Sequence, residues 1–332
     1  MADLALLQGS CGTGVDASIE LVDAAGGIGA VHRVTPIPHP LDLGSFAVVA
    51  TFDEEAVGAA TRARLVNAGS TGPWVDLPAL RTPRGMPGVE AITECPACAR
   101  ARFDLVGRRQ GLTMQRCLEC GLVMTSPRPA EDHTLVRYGD RYFETEYLPS
   151  QEDTAAMMRH AHNLLDVVEP YRTSTGVLYE LGVGGGSFLD AAVERGWAVA
   201  GSDVNPAAVA HVCSRGHRVE VGNVDHLDAI PEPVRVVVSE MSLEHVRNPD
   251  HAIKLAANAL RSGGALLVWT VSAEGESMRY EGMASHLVGP AEHLFLFTEE
   301  SLRSFCTQVG FEVQRVWFDA TRDSVGVLAV KP

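Results

Sequence analysis

"LYELGVGGGSFLD", residues 178–190, runs from an apolar stretch through an acid and a string of glycines into a helical pattern. A glycine turn between strand and helix lets a ligand approach bare backbone. Three ligand classes use such turns: a nucleotide phosphate, a dinucleotide and S-adenosylmethionine (SAM). A phosphate loop needs Gly-Lys-Ser/Thr at its end, whereas Phe188 follows Ser187 here and no lysine is present. The dinucleotide fingerprint fits poorly, because counting from Gly182 puts Gly184 third but Ser187 sixth. SAM carries no pyrophosphate, and its methionine part must cross the turn closely. Gly182, Gly184 and Gly186 leave that room, and Glu180 is placed to reach an ammonium. In "VAGSDVN", Asp203 stands about 20 residues further on, where a nucleotide's ribose hydroxyls need an acceptor. Its competing role is to cap the helix that opens at "NPAAVA".

Outward from this turn, strands and helices alternate. "GVLYELG", "AVAGSDV", "RVEVGN", "VRVVVSEM" and "ALLVWTV" read as strands, and "SFLDAAVERG", "NPAAVAHVCSRG" and "NPDHAIKLAANALRSGG" as helices. That alternation predicts a parallel sheet covered on both faces. The end differs: after the helix "LRSFCTQVGF", "EVQRVWF" and "SVGVLAV" predict an antiparallel hairpin.

Upstream, "CPAC" and "CLECG" give C-x2-C-x18-C-x2-C, from Cys95, Cys98, Cys117 and Cys120. Two residues between thiolates let one tight turn present both sulfurs to one ion, and the spacing is that of a zinc site. Gly121 after the second pair suits the left-handed backbone of such a knuckle, whereas Ala99 after the first suits it less well. Four thiolates close the coordination sphere, so the expected zinc is structural. Cys213 and Cys306 fall in apolar helical patterns and are expected to be buried thiols.

Residues 1–90 read as a small α/β unit, with strands "SIELVD" and "FAVVATF" and a helix through "DEEAVGAATRARLVNAG". Residues 91–128 hold the expected zinc ribbon, 129–172 a helical linker and 173–332 the sheet with its helices. The chain has 332 residues, 46% of them hydrophobic and 21% charged, with a net charge of −15. An acidic chain gains little from counterion release, which disfavours nucleic acid as the main partner. No apolar run approaches the ~18 residues of a membrane span. "MADLALLQGSCGTG" makes a poor signal peptide, so the expectation is a cytoplasmic protein.

Order and spacing across "LYELGVGGGSFLD…VAGSDV…VGNVDHL…VVVSEMSLEHVRNP…ALRSGGALLVW…EHLFLFTEESLRSFCTQVGFEV" resemble the class I SAM-dependent methyltransferases from Leu178 to Val313. "ECPAC…QRCLECGLVMTSPRP…YGDRYF" resembles the ribbon and linker of a zinc-ribbon branch of that family. The resemblance implies a Rossmann-like, seven-stranded core whose last strand is antiparallel. It implies Glu180, Gly182, Gly184 and Gly186 at the methionine part, Asp203 at the ribose, and Asn223 with Val224 at the adenine, where Asp225 is an alternative. Ser239, Glu240 and Met241 would follow the fourth strand at the ligand edge. Tyr142, and Tyr138 with it, would close the pocket.

Methyl transfer to a hydroxyl or an acidic carbon needs a base. The resemblance offers His245 in "SLEHVRNP" and His293 in "GPAEHLFLF", with Glu292 orienting the latter, and a lid over "SAEGESMRYEGMASHLVGPAE". There is some similarity to deoxysugar C-methyltransferases, which points to a small-molecule acceptor, a sugar or secondary metabolite, methylated on O or C. The rival expectations are an RNA methyltransferase guided by its ribbon and a non-catalytic scaffold on the same fold.

Overall fold

The computed structural model describes residues 90–109, 112–129, 155–230, 234–319 and 322–332, together with Glu131 and Phe143. Thr154 and the strands of residues 1–89 are described by their backbone alone. The chain divides into two units, Met1–Val89 and Glu90–Pro332.

In the first unit the strands are β1 (Leu4–Ser10), β2 (Ala17–Asp23), β3 (Ile28–Val34), β4 (Ile37–Pro38), β5 (Ser45–Thr51), β6 (Ala60–Asn67), β7 (Ser70–Thr71) and β8 (Val75–Asp76). They form one sheet ordered β1-β5-β4 and another ordered β3-β2-β6-β7, with β8 on β6. The helix expected through residues 53–69 is not found where the chain is described: Ala60–Asn67 is a strand paired antiparallel with β2, Glu20 opposite Arg64. Arg62 and Arg64 alternating with Ala63 and Leu65 carry a period of two, which the helix-forming residue types around them disguise. The first part of that expected helix, 53–59, lies outside the described residues.

The second unit opens with the ribbon strands β9 (Phe103–Arg109), β10 (Leu112–Cys117) and β11 (Val123–Thr125). There follow α1 (Thr154–Val168), β12 (Val177–Leu181), α2 (Ser187–Glu194), β13 (Ala198–Asp203), α3 (Pro206–Ser214), β14 (Arg218–Val221), β15 (Val234–Glu240), α4 (Pro249–Ala259) and β16 (Leu260–Val271). The chain ends with α5 (Glu276–Glu281), β17 (Phe295–Leu296), α6 (Glu299–Gln308), β18 (Glu312–Asp319) and β19 (Ser324–Val330). A seven-stranded sheet runs β14-β13-β12-β15-β16-β19-β18. β12 to β16 pair in parallel, and β19 is antiparallel to both its neighbours, β16 and β18. The fold is therefore the Rossmann-like core expected from the sequence.

Side chains alternate between two apolar layers, as the pleat requires. Val236, Val238 and Leu267 pack with Leu165 of α1 and Leu189 and Ala192 of α2 on one face. Val237, Leu266 and Val268 pack with Ile253 of α4 and Leu302 and Phe305 of α6 on the other. Both faces are sealed, and the polar chemistry is confined to the strand ends. Strand order reverses between β12 and β15, and in open α/β sheets ligands collect at the carboxyl ends of the strands beside such a reversal.

The ribbon is stitched into this core. β17 adds to its sheet, giving the order β17-β11-β10-β9, with Val123 opposite Leu296 and Met124 opposite Phe295. Cys306 is buried as expected, but Cys213 is exposed, on the outer side of α3, with its thiol on the Val219 carbonyl. Among the described residues no helix is long and apolar enough to cross a membrane.

Candidate active site and four-cysteine metal centre

A cavity of about 360 Å³ opens at the carboxyl ends of β12, β13 and β15. The three strands deliver Glu180, Asp203 and Glu240 to it, and the turn after β12 delivers Gly182 and Gly184. Gly182, Gly184 and Gly186 all have positive φ, at 80°, 47° and 79°. This is a backbone that side chains resist. A Cβ on Gly182 would lie 2.6 Å from the Ser242 Cβ, and one on Gly186 would overlap Arg215 and Val212. Two of the glycines are thus required by packing within the turn as well as by its curvature.

Asp203 ties the turn together. Its Oδ2 accepts from the Gly184 N–H at 2.8 Å and its Oδ1 from the Asn205 N–H at 2.8 Å. The helix cap is the neighbouring Asn205, whose Oδ1 accepts from Ala207 and Ala208. Asp203 is therefore released from the capping role that competed for it. Burial raises its pKa against the pull of these backbone amides.

Glu180 is the most telling member. Its side chain is buried, and its Oε2 has no hydrogen-bond partner among the described residues. Burial, then the charges of Glu240, Asp203 and Asp190, push its carboxyl well above the usual carboxylate range. A buried carboxylate without a partner calls for a proton or a cation. A ligand bearing an ammonium and a sulfonium meets that demand, so the donor set fits SAM.

Other expected residues line the same cavity. Asn223 donates to Glu131 at 2.8 Å and accepts from the Asp225 N–H at 3.0 Å, and Val224 sits beside it. Asp225 receives the Arg247 and Asn248 N–H groups, so both its oxygens already hold the approach to α4. Glu240 pairs with His160 of α1 at 3.4 Å. Met241 adopts φ 48° with its N–H on the Trp269 carbonyl, a left-handed conformation costly for a methionine. Tyr138 and Tyr142 lie outside the described residues. Sequence reasoning missed Glu131, Met157 and Ser242. Ser242 donates to the Leu181 carbonyl at 2.7 Å and so pins the end of β12, a contact across 61 residues that no local pattern announces.

The histidines meet. His245 lines the cavity, and its ring lies 4.9 Å from that of His293. His245 Nδ1 donates to the Glu292 carbonyl at 3.0 Å, and His293 Nδ1 to the Leu287 carbonyl at 2.7 Å. Backbone carbonyls thus hold both rings, that of Glu292 on His245 and that of Leu287 on His293. The protein packed around His245 lowers its pKa, and the Glu244 carboxylate pulls the other way. The segment expected to be a lid is anchored: Arg109 donates to the Met283 and Ser285 carbonyls, and Asp323 holds Ser277.

At the ribbon, Cys95, Cys98, Cys117 and Cys120 offer four sulfurs within 4.8 Å of one another. The Cys95–Cys120 and Cys98–Cys117 sulfurs are 3.5 Å apart, far beyond a disulfide. A tetrahedron with 2.3 Å metal–sulfur bonds has edges of about 3.8 Å, so the cage fits zinc. Burial raises the Cys98 pKa to about 11, the Cys95 sulfur and then burial raise that of Cys120, and backbone amides outweigh burial to lower that of Cys117. Ala99 takes φ 56° and Gly121 φ 74°, the left-handed knuckle positions anticipated from the sequence.

Residues 149–316 match the family described as "Methyltransferase domain". The chain belongs to that family, and its class is that of the SAM-dependent methyltransferases. No curated protein matches it. Among solved structures it is similar to a putative methyltransferase in complex with the Haloferax volcanii Trm112 activator. That likeness has 18% identity and a TM-score of 0.46, and covers 58% of this chain and 97% of the other. It is also similar to a possible histamine N-methyltransferase from Thermotoga maritima (23%, TM-score 0.45, covering 58% and 100%). A third likeness is to the N-methyltransferase NodS from Bradyrhizobium japonicum, solved with S-adenosyl-L-homocysteine (16%, TM-score 0.46, covering 60% and 100%).

Proposed function

We propose that this chain transfers a methyl group from SAM to an oxygen or carbon of a small molecule, a sugar or secondary metabolite. The observation that carries the reading is Glu180: a buried carboxylate oxygen with no hydrogen-bond partner among the described residues, in a cavity it shares with Asp203 and Glu240. In this reading Glu180 neutralises the donor's ammonium, and Asp203 accepts from its ribose while holding the Gly184 turn in place. Asn223, Val224 and Met241 flank the adenine, and Tyr142 is assigned to closing the pocket. SAM, when bound, supplies a methyl group on a sulfonium leaving group, so the protein's work is alignment and proton removal. His245 at the cavity wall and His293 behind it are the groups proposed to accept the acceptor's proton, each with Nδ1 on a carbonyl, which in the neutral ring puts the basic nitrogen at Nε2. The four cysteines are assigned a structural zinc.

A small-molecule acceptor is favoured over RNA by the net charge of −15, which weakens attraction to a phosphate backbone. The test is incubation with methyl-labelled SAM and small-molecule extracts, followed by mass spectrometry. Gain of one methyl mass on a metabolite is expected; label appearing only on RNA would overturn the acceptor assignment.

A further inference from the structure

We propose that Glu244, His245 and His293 form a second metal site, separate from the cysteine cage, that takes a divalent first-row transition cation. One oxygen of Glu244 and one ring nitrogen from each histidine lie within 4.8 Å of one another. A tetrahedron with metal–ligand bonds of about 2.1 Å has edges of about 3.4 Å, so the three atoms would draw together by up to about 1.4 Å to close on an ion.

The hydrogen bonds prepare these atoms for an ion. A carbonyl only accepts, so the Nδ1 atoms of His245 and His293, held by Glu292 and Leu287, carry the protons. In the neutral rings the lone pairs are then on Nε2. An Nδ1–H on a backbone carbonyl is the arrangement that usually orients metal-binding histidines.

Glu244 supplies the second, independent observation. It is fully buried; its Oε2 accepts from the Thr270 hydroxyl at 2.7 Å, while its Oε1 has no hydrogen-bond partner among the described residues. That oxygen stands 3.9 Å from His245 Nε2. An imidazole lone pair facing a buried carboxylate is unfavourable, and a cation between them reverses the sign of the contact. Two imidazoles and one carboxylate, of mixed nitrogen and oxygen character, select zinc, iron, manganese or cobalt over calcium or magnesium. His245 also lines the main cavity, so the ion's open positions would face the acceptor side. With the ion bound the two histidines are ligands, so the proton-accepting role proposed for them above belongs to the ion-free protein.

The test is metal stoichiometry on the full chain. Chelator-treated protein is titrated with Co2+ alone, and bound metal is counted after gel filtration. Two equivalents are expected, one with the strong sulfur-to-metal absorption of the cysteine cage and one without it. His293→Ala and Glu244→Gln should each reduce the count to one and leave the thiolate absorption, which reports the fold of the ribbon, unchanged. A single equivalent in the unaltered protein, or two retained in both variants, overturns the proposal. Because the readout is metal content, that failure leaves the methyl-transfer reading intact.

Discussion

The Thr298 hydroxyl donates to the Cys120 carbonyl at 2.6 Å while accepting from the Ser301 N–H at 3.0 Å. One side chain thus caps α6 and grips the second cysteine knuckle. Ser304 and Gln308 on the same helix both bond the Ala97 carbonyl of the first knuckle. Further along, Thr125 bonds the Leu294 and Pro290 carbonyls, which bracket Glu292 and His293. The ribbon is therefore hydrogen-bonded directly to the segment that carries His293.

Removing zinc should accordingly loosen residues 290–308 as well as the ribbon. Hydrogen exchange after chelation should speed up in β11, β17 and the first turn of α6, while β12 and β15 stay protected. Unchanged exchange in β17 would show that the junction stands without the metal.

Ala99→Gly should stabilise the protein. Ala99 sits at φ 56°, a region that costs an L-residue about 1–2 kcal/mol and glycine little. Glycine's greater freedom in the unfolded chain offsets part of the gain, leaving about 0.5–1 kcal/mol. Thermal unfolding checks this, and a lower Tm would contradict it.

Gly182→Ala should do the opposite at the SAM turn. The new methyl would press on Ser242 and weaken its bond to Leu181, in a backbone already at φ 80°. A loss of about 1–3 kcal/mol in stability is expected, with a weaker SAM complex. Calorimetric titration with SAM measures the second effect; an unchanged Kd would mean the turn does not touch the ligand.

SAM binding should release protons. In the free protein Glu180 has a pKa raised above its unfolded value, so the folded state holds the proton more tightly there. Its contribution makes the free protein more stable as pH falls from the folded pKa toward the unfolded one. A cationic ligand favours the carboxylate, so affinity should rise with pH through the same interval. Calorimetry in buffers of different ionisation enthalpy counts the protons released, and Glu180→Gln should abolish the release. Proton uptake in the unaltered protein would contradict the placement of the ammonium.

The sheet and its site edge were legible because both depend on local patterns. Gly182, Gly184 and Gly186 mark a turn only glycine tolerates, and the valines of β15 mark a strand buried on both faces. The knuckles were equally plain, down to the poorer fit of Ala99. Non-local pairing was not legible: β17 is two residues long, and nothing in Phe295–Leu296 announces Val123 and Met124 as partners. Ala60–Asn67 misled because its residues suit a helix in isolation, and only the β2 register makes them a strand. The carbonyls of Glu292 and Leu287 that hold the His245 and His293 rings were not legible either, because a main-chain contact leaves no mark in residue types.

The central claim, that SAM lies across Glu180 and Asp203, is tested most directly by calorimetric titration of SAM into the unaltered protein and Asp203→Ala, with zinc content measured in both. Two lost hydrogen bonds to a charged acceptor are worth about 3 kcal/mol or more, so the account predicts at least an approximately 100-fold weaker Kd at unchanged zinc content. Equal affinity in the two proteins, or no SAM binding to the unaltered one, would contradict it.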